Sequence, residues 1–425
     1  MIRCVPWAIA LLLLPALPGP DVSSLLEAQE RTTVGPPPPM PAEQFIMDPP
    51  GIQVENFATG LEAVWDILFL PDGRTLISER PGRIRVVTPD GTLQPEPWAE
   101  PHNVYHDGGG GMMGLALHPD YPREPWVYAM YTAVVDAGWV NRVSRFRVGG
   151  AMGGPGAFLG GRALEEEVIL DYLPAVNTHN GGRIAFGPDG MLYVTLGDTG
   201  QRAQAQNPYD LRGSILRVTP LGETPRDNPW AGTPVWAKGL RNVHGVAFHP
   251  ATGALFAADH GPSGEWREPL VAHLDEVNIV EGGKSYGWPV AVGAPGLPGH
   301  EDPLLAWEVA VPPGGLAFYT GTLLPHLQGD LFLTGLRSEA LHRIRFQDPD
   351  DPHRVTALER WFVEGELGDA PMGEGPSRFG RLRAVATGPD GALYIGTSNI
   401  DRGRGEPRAS DDRVIRIVPV QGLRE

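Results

Sequence analysis

The chain predicts an all-β fold, a six-bladed β-propeller, and three observations carry that expectation. A turn centred on proline recurs six times, at Phe69-Leu70-Pro71-Asp72-Gly73, Leu117-His118-Pro119-Asp120, Phe186-Gly187-Pro188-Asp189-Gly190, Phe248-His249-Pro250, Leu324-Pro325 and Thr387-Gly388-Pro389-Asp390-Gly391. A strand-length β-rich run follows each turn, and in most units a second run follows the first. Long amphipathic helices are missing between the units, which counts against folds that alternate strand and helix. A β-sandwich is the remaining rival, and it is disfavoured because similar turn chemistry returns in every unit.

Residues 1–20 read as a secretory signal. Arg3 supplies the positive start, and the apolar stretch from Trp7 to Leu17 is interrupted by Pro15 and too short for an ordinary transmembrane helix. The mature chain is therefore expected in the periplasm or outside the cell and not as an integral membrane protein. The single cysteine, Cys4, precedes the apolar stretch and can form no internal disulfide. Residues 21–51, with the run Gly35-Pro36-Pro37-Pro38-Pro39, are expected to be a stiff Pro-rich linker. The propeller is then expected over residues 52–425, with Ile52 to Ala58 supplying a strand that closes the ring against the last blade.

Within the repeats, the first β-rich runs are 74–79, 126–131, 191–196, 254–258, 330–334 and 392–396. The second are 83–87, 143–148, 214–218, 276–280, 341–345 and 413–418, with arginines expected outward and aliphatic residues inward. The prolines at 71, 119, 188, 250, 325 and 389 leave room for a four-stranded sheet and one long loop per unit. Gly149 to Gly161 reads as a surface loop. With 51 Asp and Glu against 34 Lys and Arg, the net charge of -17 opposes nucleic-acid binding, which needs clustered cations to neutralise phosphates. A P-loop, a nucleophile elbow and a His-Glu-x-x-His zinc motif are all missing.

Several loop residues could carry chemistry. His179, in Asn177-Thr178-His179-Asn180-Gly181-Gly182-Arg183, directly precedes a strand. An imidazole there can act as a general base near neutral pH, or it can be a loop histidine bonded to a neighbouring carbonyl. Arg241 and Asn242 precede the next unit in the same way, bringing a cation and an amide. Asp259-His260-Gly261-Pro262, followed by Glu276 and Tyr286, offers hard oxygen donors suited to calcium, or simply a solvated acidic turn. Arg381 and Arg383 face one way if extended and could hold an anionic cofactor, or could be two surface arginines.

Taken together these residues resemble the soluble quinoprotein glucose dehydrogenases, the aldose sugar dehydrogenases that use pyrroloquinoline quinone (PQQ). The resemblance runs from about Gly60 to Val418. It rests on Asp107-Gly108 with Met112 to Asp120, His179 to Arg183, Gly197-Asp198, Arg241-Asn242, His260-Gly261-Pro262, Asp275 to Ile279, Gly282 to Pro289 and Gly315 to Gly321. It implies a six-bladed propeller that oxidises the anomeric hydroxyl of an aldose to a lactone and passes electrons to an external quinone or cytochrome.

By position, the resemblance makes His179 the base that takes the anomeric proton while hydride passes to the quinone. Arg241 would stabilise charge on the quinone oxygen, and Asn242 would contact the cofactor. The carbonyls of Gly261 and Pro262 would hold calcium, Arg381 and Arg383 would bind the PQQ carboxylates, and Glu276 and Tyr286 would serve a second, structural calcium. This chain departs from the pattern at Gly109, where the family usually has Gln, at Thr178 beside the catalytic histidine, at Ala310, and at Arg337, which replaces a cofactor-binding lysine. Residues 263–274 extend a turn that is usually short. Two other propeller classes remain as alternatives: non-catalytic binding proteins resembling the hedgehog-interacting type, and calcium-dependent lactonases.

Overall fold

The computed structural model describes residues 32–149, 161–263, 273–365, 377–401 and 410–420. The expected signal, most of the Gly149 to Gly161 loop and residues 264–272 of the extended turn lie outside the described residues. The strands form six sheets around a common axis, the six-bladed propeller expected from the repeats. Blade 1 comprises Val64–Phe69, Thr75–Glu79 and Arg83–Val87, and blade 2 Met112–Leu117, Trp126–Val135, Gly138–Val148 and Ala163–Leu173. Blade 3 comprises Ile184–Phe186, Leu192–Leu196, Ser214–Val218 and Val235–Lys238, and blade 4 Val243–Phe248, Leu255–Asp259, Asp275–Val280 and Leu305–Trp307. Blade 5 comprises Pro313–Phe318, Leu331–Gly335, Leu341–Asp348 and Asp351–Trp361. Blade 6 comprises Leu382–Thr387, Leu393–Thr397, Arg413–Pro419 and the early strand Ile52–Thr59.

That early strand closes the ring. Ile52–Thr59 pairs antiparallel with Arg413–Pro419, from Pro419 opposite Ile52 to Arg413 opposite Thr59. Between neighbouring blades the inward side chains interlock, as where Tyr128 and Met130 of blade 2 meet Val194 and Leu216 of blade 3. The last interface joins Val414 and Tyr394 of blade 6 to Ile67 and Ile77 of blade 1. This packing of apolar faces supplies the main drive for the ring.

The Pro-Asp-Gly turns link the first and second strands of their blades. In blade 1 the Asp72 carboxylate accepts the Arg74 N–H at 3.1 Å, and Gly73 takes a φ of 90°, which side-chain-bearing residues rarely adopt. Blade 1, which has the shortest repeat, holds three strands where four were expected. The irregular segment around Trp98 covers its outer edge, with Trp98 N–H donating to the Ile84 carbonyl at 2.7 Å.

Two expectations are corrected. Within the stretch 21–51 expected to be a stiff linker ahead of the propeller, two segments join the ring: Thr33–Val34 pairs in parallel with Ala291–Val292, and Glu43–Ile46 extends blade 5 by pairing with Leu358 to Trp361. Glu43 anchors this strap through the Arg360 guanidinium at 2.5 Å and the Trp307 indole N–H at 2.9 Å. The arginines of the second runs are not uniformly outward either. Arg217 and Arg343 are buried, held by Asp189 at 2.8 Å and Asp330 at 2.7 Å respectively, because a paired guanidinium tolerates burial that a lone one does not.

Candidate active site

Each inner strand begins, and each second strand ends, at the face of the ring opposite the Pro-Asp-Gly turns. The loops at that face enclose a cavity of about 340 Å³ lined by His179, Arg241, Asn242, Arg337, Arg381 and Arg383, six of the residues singled out in the sequence. Gly109, Thr178 and Ala310 also line it, as do Ser263 and His273 at the two ends of the extended turn.

His179 sits on the loop entering blade 3 with a φ of 48°, in the left-handed region that costs a side-chain-bearing residue energy. Gly197 makes room for it, since a Cβ there would collide with the His179 carbonyl. His179 Nδ1 lies 2.7 Å from Asp198 Oδ1, and the other Asp198 oxygen accepts the Trp288 indole N–H at 2.8 Å. Burial works to raise the Asp198 carboxyl, but the His179 contact and the Gly200 N–H outweigh it and hold the group below the usual carboxylate value. Beside an ionised Asp198, the neutral imidazole carries its proton on Nδ1 and has the Nε2 lone pair available to accept one.

The cavity is strongly cationic. Arg80, Arg241, Arg337, Arg381 and Arg383 line it, and among its described lining residues Asp401 is the one carboxylate. Asp401 is itself shared: Arg383 Nη2 reaches it at 2.5 Å, Arg381 Nη2 at 3.8 Å, and Arg80 pairs with its other oxygen. Three guanidinium groups thus gather on this acid, and guanidinium groups at a low-dielectric pocket favour an anion. Arg80 also ties down the next loop, donating to the carbonyls of Gly108 and Gly110, each at 2.7 Å.

Arg241 and Asn242 enter blade 4 together, their backbone N–H groups donating to the two Asp259 oxygens at 2.8 and 2.6 Å. The Asn242 side-chain oxygen accepts the Gly181 N–H at 3.0 Å, joining this loop to that of His179. His244 and His260 line the same cavity with ring centroids 4.8 Å apart. Burial, then the neighbouring positive charges, keep both well below the ordinary imidazole value and therefore neutral. His244 Nδ1 and His260 Nε2 are buried without a hydrogen-bond partner among the described residues. Buried polar atoms of this kind call for a partner, such as water or a ligand in the cavity.

A second, much smaller cavity shares Arg241 and His260 with the first and is lined by Gly261, Pro262, Glu276 and Tyr286. A cation on the Gly261 and Pro262 carbonyls would adjoin the arginine-lined cavity. Calcium takes roughly six to eight oxygens, so the remaining donors would come from a bound cofactor and water. Glu276 is occupied otherwise, accepting the Gly293 N–H at 3.1 Å and facing Asn278 Nδ2 at 3.3 Å. The Tyr286 hydroxyl donates to the Ile279 carbonyl at 2.9 Å and accepts the Glu281 N–H at 2.8 Å. Burial first, then the charge of Asp259, pushes the Glu276 carboxyl up to about 8. Among the described residues no group of three or more His, Cys, Asp or Glu converges to hold a metal.

Asp198, Arg80, Asp401, His244 and His260 are cavity or supporting residues that the sequence reading did not assign. Their positions carry a signal. Arg80, Asp198, His260, Arg337 and Asp401 all follow the second strand of a blade within a few residues, just as His179, Arg241 and Arg381 precede an inner strand.

Fold and cavity together define a class of propeller oxidoreductases. The PQQ-bound aldose sugar dehydrogenase of Streptomyces coelicolor aligns with a TM-score of 0.70 at 32% identity, over 87% of this chain and 99% of its own. A crystal structure from Thermus thermophilus aligns with a TM-score of 0.73 at 44% identity, over 87% of this chain and 100% of its own. The aldose sugar dehydrogenase YliI of Escherichia coli (strain K12) is 30% identical over 372 residues, 82% of this chain and 90% of the relative. The Glucose / Sorbosone dehydrogenase family matches residues 61–404, and the chain belongs to that family. It is an oxidoreductase of the sugar dehydrogenase type.

Proposed function

We propose that the chain uses PQQ and calcium to oxidise the anomeric hydroxyl of an aldose to a lactone, and passes the electrons to an external quinone or cytochrome. The observation that carries this reading is the His179–Asp198 pair opening onto a cavity lined by five arginines. PQQ carries three carboxylates and a quinone, and when bound it would supply the two-electron acceptor that no side chain provides. The fork geometry of Arg381 and Arg383 suits its carboxylates, Arg337 adds a third cation, and the orphaned nitrogens of His244 and His260 suit its polar edge. The carbonyls of Gly261 and Pro262 would hold calcium as a Lewis acid beside it.

The protein's own part is proton handling and orientation. His179 Nε2 takes the anomeric proton as C1 loses its hydride, and the Asp198 carboxylate stabilises the imidazolium that forms. The Trp288 indole and Gly200 N–H keep Asp198 in place while that charge appears. Arg241, anchored through its own N–H to Asp259, sets a permanent cation where negative charge develops. The proton then leaves to solvent, and a sugar with one fewer pair of electrons is the lactone.

The lactonase alternative needs several carboxylates around one cation, whereas Asp401 is consumed by three arginines. A purely binding propeller has no use for a histidine held strained against a buried aspartate. We further propose export, on the basis of residues 1–20; no helix among the described residues is long and apolar enough to cross a membrane. The test loads purified protein with PQQ and calcium and follows reduction of an electron-accepting dye across a series of aldoses. Sugar-dependent dye reduction that requires PQQ is the expected result. Failure to take up PQQ, with no sugar-dependent reduction, would favour the binding-protein alternative.

A further inference from the structure

Blade 2 carries a hairpin longer than its counterparts. Trp126–Val135 and Gly138–Val148 run 10 and 11 residues, against 5 for each of the matching strands in blade 3. Its tip therefore stands beyond the sheet on the cavity side. Past the Met112–Tyr131 pair, residues 103–105 take the place of the inner strand. Val134 N–H donates to the Asn103 carbonyl and Tyr105 N–H to the Thr132 carbonyl, each at 2.8 Å.

Strand alternation fixes what this extension presents on one face. Thr132 pairs with Asn141 and Val134 with Trp139, so all four side chains share a side. At the inner end this face grips the His179 loop: Thr132 Oγ1 donates to Asn141 Oδ1 at 2.9 Å, and Asn141 Nδ2 donates to the carbonyls of Pro174 at 2.7 Å and Asn180 at 3.3 Å. At the outer end Trp139 stacks on Tyr105, with centroids 4.2 Å apart and 22° between the planes. Trp139 is 41% exposed and Val134 48%. Tyr105 abuts the cavity wall, because a Cβ on Gly110 would lie 3.2 Å from its ring, and the adjacent Gly109 lines the cavity and donates to the Asn177 carbonyl at 2.5 Å.

We propose that the Tyr105–Trp139 platform is an accessory carbohydrate subsite. It would hold the second ring of a reducing disaccharide or longer oligosaccharide whose terminal aldose lies at His179, and it rests on the sugar-oxidising reading above. A cavity of about 340 Å³ is small for a ligand site. With a tricyclic cofactor and one pyranose inside it, a second ring would have to lie on the rim. There a flat apolar surface faces the C–H face of a pyranose, and polar groups at its edge meet the hydroxyls. The Tyr105 hydroxyl, 3.3 Å from Asp107 Oδ2, and the Asn103 amide provide that edge. Gly109, next along the chain from the residue that abuts Tyr105, lines the cavity against the His179 loop without a side chain.

The experiment compares the holoenzyme with its Trp139→Ala and Trp139→Phe variants on glucose, cellotriose and maltotriose. Trp139→Ala is expected to lower kcat/KM for at least one of the trisaccharides about tenfold through KM, to leave glucose within about twofold, and Trp139→Phe to restore most of the loss. Equal losses on glucose and both trisaccharides, or no loss on either trisaccharide, would overturn the subsite. So would a raised KM for the dye alone, which would assign the platform to the electron acceptor. If the wild-type protein oxidises no sugar, the sugar-oxidising reading fails on its own. Calorimetric titration of the same three proteins with the trisaccharides then decides: binding weakened by Trp139→Ala supports the platform, and no binding to wild type overturns it.

Discussion

Blades 3 and 6 are built alike at one end and unlike at the other. At the turn end, Asp189 and Asp390 each accept a backbone N–H two residues on, at 3.1 Å in both blades. Each also accepts a tyrosine hydroxyl, Tyr193 at 3.1 Å and Tyr394 at 2.9 Å, and an arginine, Arg217 at 2.8 Å and Arg416 at 3.3 Å. At the cavity end each blade sets a basic residue before its inner strand and an aspartate after its second, but the side chains are put to different use. Blade 3 brings a histidine and the aspartate that orients it, whereas blade 6 brings two arginines and the aspartate that gathers them. One end is shared between the two blades; the other differs, and on the proposed function it carries the chemistry.

The largest effect expected from this contrast lies in blade 3. His179→Ala should cut turnover about 100-fold or more while a PQQ titration stays nearly unchanged, because it removes the base and not the anion site. Unaltered turnover would deny blade 3 its chemical part. Arg383→Ala should act the other way, raising the PQQ concentration needed for half-activity about tenfold or more with smaller loss of turnover at saturation. A turnover defect that excess cofactor does not repair would erase the distinction between the two blades. The smallest effects belong to the shared end. Tyr193→Phe and Tyr394→Phe should each cost about 1 kcal/mol in denaturant titrations, by similar amounts, with sugar oxidation untouched. Markedly unequal costs would show that the two turns only look equivalent.

The same contrast explains what could be read from the sequence. The blades were legible because turns that need Pro, Asp and Gly announce themselves locally, as at Pro188-Asp189-Gly190 and Pro389-Asp390-Gly391. The ring-closing strand was legible from its place before the first repeat. His179, Arg241 and Arg381 were found at the entries to inner strands, yet the roles given to them came from resemblance, since a loop histidine alone fits a bland role equally well. Asp198, although part of the resemblance, received no role, and Asp401 was not singled out, because their meaning comes from residues far along the chain: Trp288 for one, Arg80 for the other. The strap was missed for the same reason. A proline-rich segment reads as a spacer until Glu43 meets Trp307 and Arg360, more than 260 residues away.

The pairing of Ile52–Thr59 with Arg413–Pro419 sets an order of events as well as a shape. Arg416 meets Glu55 across 361 positions, so the sixth sheet cannot be completed until nearly the whole chain is available. Loop entropy grows only slowly with length and does not forbid such a contact, but it makes the contact late and folding slow. Until then two strand edges stay open, each able to pair with a neighbouring molecule. During biosynthesis the vulnerable interval is therefore the final stage of ring assembly.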